Sequence, residues 1–104
     1  MPLLDDAKTA LRISPSASAF NGEVQGLIDA AQADMIESGL AETIVKADEP
    51  RPLVKLAILT YCKANFGYNN PDADRLKASY DLQVQKLSMI AEYREGGDAV
   101  ESGS

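Results

Sequence analysis

The run from Leu53 to Tyr68, LVKLAILTYCKANFGY, sets the strongest limit on what this chain can fold into. Wound as an α-helix, its apolar residues Leu53, Leu56, Ala57, Ile58, Leu59, Tyr61, Cys62, Ala64 and Phe66 fall almost all the way round. Only Lys55, Thr60, Lys63 and Asn65 interrupt them. Such a helix needs neighbours on several sides. It is therefore predicted to be the central helix, covered by the same chain, by another copy, or by both. The run is short and carries two lysines, which argues against a membrane span.

The flanking segments supply that cover. From Pro2 to Arg12, Leu3, Leu4, Ala7, Ala10 and Leu11 recur at helical spacing and predict a short first helix, ended by Ser14-Pro15-Ser16. From Ser18 to Ser38, Phe20, Val24, Leu27, Ile28, Ala31 and Met35 form one apolar stripe. Ser18 and Asn21 are both candidate N-caps for this second helix, and Gly39 is a natural residue just past its end. Leu40–Arg51 reads as a surface loop with at most a brief extended piece, since Pro50 and Pro52 interrupt it. The third, central helix runs from Pro52 to Phe66. A fourth is predicted from Pro71 to about Ala91, with Asn70 as N-cap. Its core face is Leu76, Tyr80, Val84 and Leu87, broadened by Leu82, Met89 and Ile90.

The expected fold is all-α: a small bundle of about four helices, a largely buried third helix and a disordered C-terminal tail. One domain spans residues 1–91. The tail, 92–104, is too rich in Gly, Ser and acids to order itself. The net charge of −6 is concentrated in the first half, where residues 1–52 carry nine acids and four bases. That balance disfavours a reader of the nucleic-acid backbone, which needs clustered Lys and Arg. One cysteine excludes an intrachain disulfide. The N-terminus shows no charged-then-apolar leader, so a cytoplasmic origin is expected.

Catalytic chemistry is hard to find. There is no histidine, the commonest general acid/base and metal ligand. Cys62 sits on the most apolar helix and reads as a buried structural thiol. Asp72 and Asp74 begin like a calcium loop, but Leu76, Lys77 and Gln83 stand where a ligand, a glycine and a glutamate are needed. The reading is therefore no enzyme, no cofactor and no metal site.

Three places carry a family resemblance: LLDDAKTALRIS in the first helix, FNGEVQGLIDAAQADMIESG in the second, and PLVKLAILTYCKANFGYNNPDADRLKASYDLQVQKL across the third and fourth. In that order and spacing the chain resembles the head-tail connector (neck adaptor) proteins of tailed bacteriophages, over about residues 3–90. Asn21-Gly22 departs from the acid expected there. The resemblance implies a structural protein that forms a ring on the portal after DNA packaging, with the portal's twelvefold symmetry. The ring extends the DNA channel and receives a downstream neck or tail protein. The implied location is the virion neck, with assembly in the host bacterial cytoplasm. The free protein is compatible with a monomer that needs the portal as template.

Within that reading, Glu23, Asp29, Asp34 and Glu37 are candidate channel-lining acids, past which DNA slides without sequence-specific binding. Leu53, Ile58, Tyr61, Phe66, Tyr68 and Tyr80 are candidate interface or core residues. The alternative is a small acidic helical protein-binding module, a DNA mimic or regulator, although −6 over 104 residues is thin for a mimic. A helix-turn-helix reader would need a basic helix, and a small all-α enzyme would need convergent arginines. The four arginines lie far apart in sequence.

Overall fold

The computed structural model describes residues 3–14, 16–67 and 70–94. These form α1 (Leu3–Ala10), α2 (Asn21–Glu37), α3 (Glu42–Val45), α4 (Pro52–Asn65) and α5 (Ala73–Ser88), with 3-10 turns at Ser18–Phe20 and Ala91–Tyr93. No strand occurs among them, only an isolated antiparallel bridge between Leu40 and Arg94. The bundle is all-α, as the periodicities predict.

α4 is the central helix and contacts α5, α2 and α1. Its Val54, Ala57, Ile58 and Cys62 are fully buried. They meet Ala7 of α1, Val24, Ile28, Ala31 and Met35 of α2, and Tyr80, Val84 and Leu87 of α5. Each fully buried Ile, Leu or Met contributes about 1.5–3 kcal/mol. The cover is incomplete at the N-terminal end of α4, where Leu53 and Leu56 are half-exposed. Pro52 occupies the first turn, where its missing N–H has no helical acceptor to lose.

α1 and α2 end in the same way. Past α2, Gly39 N–H donates to Ile36 O and Leu40 N–H to Met35 O, with Gly39 at φ 108°. Past α1, Arg12 N–H donates to Thr9 O and Ile13 N–H to Lys8 O. The left-handed position there is filled by Arg12, at φ 62°. Both are the paired-bond C-terminal motif that normally takes glycine.

Four details depart from the sequence reading. Neither Ser18 nor Asn21 caps α2 through its side chain; the cap position falls on Phe20. Asn21 is diverted because its Oδ1 accepts from Lys8 Nζ at 2.7 Å. Phe20 itself is 42% exposed, because the 3-10 turn winds it off the stripe of α2. The expected loop at 40–51 contains α3 and buries Leu40, Val45 and Pro50. Leu82 in α5 and Met89 at its C-terminal cap do not join the core face and are strongly exposed. Leu82 lies about 200° round the helix from Tyr80, on the far side.

At the start of α5 the cap position falls on Asp72, not on Asn70 as the sequence predicts, because Asn70 closes the turn that precedes the helix. Asn70 Oδ1 accepts from Asp72 N–H at 3.0 Å, and the helix proper begins at Ala73. Glu92, Tyr93 and Arg94, assigned by sequence to the tail, are held to the body. Ala41 N–H donates to Tyr93 O at 2.8 Å, and the Arg51 guanidinium lies 4.8 Å above the Tyr93 ring. The remaining tail residues, 95–104, lie outside the described residues, as does Tyr68.

Candidate functional site

Three surface features emerge from this packing. The first is the outward side of α2. Glu23, Asp29, Asp34 and Glu37 are all exposed there, Asp29 and Glu37 away from the buried stripe of Val24, Ile28, Ala31 and Met35, and Glu23 and Asp34 on its flank. Glu23, Asp34 and Glu37 fall within a narrow arc of the helix, and Asp29 stands to one side. Two of the four have side-chain partners. Gln25 Nε2 donates to Asp29 Oδ1 at 3.0 Å, and Tyr80 Oη donates to Asp34 Oδ2 at 2.7 Å.

The second feature surrounds that Tyr80 bond. Tyr61 and Tyr80 meet edge to face with ring centroids 5.1 Å apart. Together with Asp34, Lys77 and Asp81 they border a shallow depression of about 240 Å³. Burial, then the hydrogen bond to Asp34 and the charges of Asp34 and Asp81, push the Tyr80 hydroxyl upward. The hydroxyl therefore keeps its proton and acts as a tie between α5 and α2. A general acid or base would need to exchange it near neutral pH. Cys62 is equally unsuited to nucleophilic work: it is fully buried, and burial pushes its thiol up to about 11. No group of acids and thiol that could hold a metal ion occurs among the described residues.

The third feature is an apolar groove of about 690 Å³ between the N-terminal half of α4 and the C-terminal half of α5. Leu53, Leu56, Leu82, Met89 and Ile90 line it, with Lys86 at the edge. Among the described residues the large, strongly exposed apolar side chains are these first four and Phe20. Exposed apolar surface concentrated in one place marks an interaction site on a small protein. Phe20 lies elsewhere, packed edge to face on Phe66 at 5.8 Å, beyond the C-terminal end of α4.

The structure thus brings Asp34, Tyr61 and Tyr80 together, and it separates Leu53 from them. Ile58 is wholly in the core, while Tyr61 and Phe66 are half-buried. Sequence reasoning missed Leu56, Leu82 and Met89 as a surface. Their signal was present: Leu82 and Met89 are out of phase with Tyr80, Val84 and Leu87. It also missed Lys8, which is buried and donates from Nζ to Ala17 O at 2.8 Å as well as to Asn21. Position 8 falls on the stripe running from Leu4 to Leu11, so its burial was legible too.

No helix among the described residues is long and apolar enough to cross a membrane. Comparison with curated proteins and with solved structures gives no match. A family model described as phage connector protein matches residues 3–94, which takes in all five helices and the turn held by Arg51. The match runs through the acidic side of α2 and both walls of the groove, and the chain belongs to the phage connector protein family.

Proposed function

We propose that this chain is a head-tail connector that forms a ring on the portal once DNA has been packaged. The ring extends the DNA channel and offers its far side to the next neck or tail protein. The observation that carries the reading is the family match over residues 3–94. The surfaces agree with it in kind. A protein of this class works by contact, and this one has a concentrated apolar groove and no chemistry at its tyrosine depression. Its place is then the virion neck, reached after folding in the host cytoplasm, with the copy number set by a twelvefold portal.

The exposed acids of α2 suit the wall of such a channel. Glu23, Asp29, Asp34 and Glu37 repel phosphates, so DNA passes without sticking. Ile58 and Tyr80 serve the core, whereas Leu53, and Tyr61 and Phe66 in part, remain available to a neighbouring subunit.

The test is mass by light scattering, for the protein alone and then mixed with the portal of the same phage. Assembly into a ring, or recruitment of about twelve monomers per portal, supports the proposal. A monomer or dimer that ignores the portal rejects it and returns the chain to the class of acidic protein-binding modules. Charge reversal at Asp29 and Glu37 tests the channel role: slower genome passage is expected, and unchanged ejection removes those residues from the lining.

A further inference from the structure

We infer that the groove between α4 and α5 receives the Phe20 ridge of a second copy of this chain, so that copies join head to tail. This deepens the ring reading and rests on it. The argument starts from where the exposed apolar surface lies. Leu53, Leu56, Leu82 and Met89 are 48–79% exposed and all border the one groove. The remaining large exposed apolar residue among the described ones, Phe20, stands at the other end of α4 as a ridge supported by Phe66. α4 is about 20 Å long at 1.5 Å per residue, so ridge and groove do not overlap on one molecule. Two distinct and complementary patches make a heterologous contact. Repetition of such a contact closes into a ring or runs on as a filament.

Charge points to the same occupant. The described lining of the groove holds no carboxylate, in a chain with sixteen of them, and Lys86 stands at its edge. Glu23 lies three residues after Phe20, on the same side of the helix start, and is exposed. A Phe20 ring seated in the groove carries Glu23 towards Lys86. The chain's own residues 95–104 are a poor alternative. They include a single large apolar side chain, Val100, to fill an apolar groove of this size.

The test uses the full chain with and without the portal. One variant, Leu82→Asp with Met89→Asp, spoils the groove; another, Phe20→Ser, spoils the ridge. Circular dichroism checks that both remain helical, as exposed positions allow. Each variant alone is expected to lose ring formation on the portal, with self-association weakened about a hundredfold, the cost of a charge or hydroxyl in an apolar contact. An equimolar mixture still holds one intact ridge and one intact groove, so it is expected to give one-to-one dimers in sedimentation velocity and nothing larger. Rings that form normally from the groove variant overturn the inference while leaving the connector reading in place. So does a groove variant that makes rings but fails to bind the portal or the next neck protein, which assigns the groove to that partner. Native protein that neither self-associates nor joins the portal rejects the connector reading itself.

Discussion

Tyr80 of α5 donates its hydroxyl to Asp34 of α2 at 2.7 Å, across 46 positions of sequence. The bond crosses the bundle outside the apolar core, and it locks the outer helix to the acidic one. Tyr80→Phe keeps the ring against Tyr61 and removes only the hydroxyl. The expected loss is about 0.5–1.5 kcal/mol, read as a lower urea midpoint with unchanged slope. Asp34→Asn retains an acceptor and should cost less than Asp34→Ala. Equal losses for the two would show that the hydroxyl has no dependence on its partner.

Lys8 is the one fully buried charged side chain among the described residues, and its ammonium ties α1 to Ala17, just before the 3-10 turn, and to Asn21 at the start of α2. Lys8→Met preserves much of the volume and leaves Ala17 O and Asn21 Oδ1 without that donor. A hydrogen bond from a charged donor contributes at most about 1.5–3 kcal/mol, and Ala17 and Asn21 are half-buried, so a drop of about 1–2 kcal/mol is expected in chemical denaturation. A variant as stable as the native chain would mean that water replaces the ammonium at no cost.

Arg12 holds a left-handed backbone, for which a side chain costs about 1 kcal/mol. Arg12→Gly is expected to stabilise the protein by roughly that amount. Gly39→Ala, at the equivalent point after α2, should destabilise it by about 1 kcal/mol or more. Thermal melts of the two variants should move in opposite directions. Movement in the same direction would contradict the shared geometry of the two helix ends.

Gly22 and Gly26 sit inside α2 with open space where a Cβ would project. Replacing either by Ala is expected to add about 0.5–1 kcal/mol through helix propensity alone. If a replacement stabilises the monomer yet weakens ring assembly, the open space belongs to a neighbouring subunit.

Alkaline pH should unfold this protein early. Burial raises Cys62 from 9.0 to about 11, and Tyr80 is raised above its ordinary 10.0 by burial and then by Asp34. Above about pH 9 the unfolded chain therefore holds fewer protons than the folded one, and stability falls as pH rises. The contribution is complete below pH 9 and is lost progressively towards pH 11 and beyond. Urea midpoints measured from pH 7 to 11 should decline, and Tyr80→Phe should flatten the decline above pH 10. A thiol reagent at pH 8 should label Cys62 slowly until urea is added. Rapid labelling of the native protein would place the thiol outside the core.

Much of this architecture was legible from residue spacing. Val24, Ile28, Ala31 and Met35 are spaced for one face of a helix, and that face is the one α2 buries. The order of the helices, the proline at the start of α4 and the acidic side of α2 were legible for the same reason. The short α3 was not. Thr43, Ile44 and Val45 favour extended backbone on their own, and the helical turn forms because it lets Val45 bury fully against the core. The α2 cap was missed because Asn21 has a competing partner thirteen residues away. The groove was missed because a sum of apolar residues along α5 does not separate Leu82 from Leu87. Only the angle round the helix does, and one side of that angle had to be seen facing nothing.

The central helix therefore answers to two kinds of selection at adjacent positions. Val54, Ala57 and Ile58 are fully enclosed, and any replacement there is judged by whether the chain folds. Leu53 and Leu56, on neighbouring turns, are half-open, and under the proposed groove contact replacements there are judged by what the groove must receive. Among related phages the first set should vary only in size and shape, at a rate common to the whole lineage. The second should change in step with whatever meets it, so paired substitutions across a population of genomes would trace the contact without a complex ever being isolated.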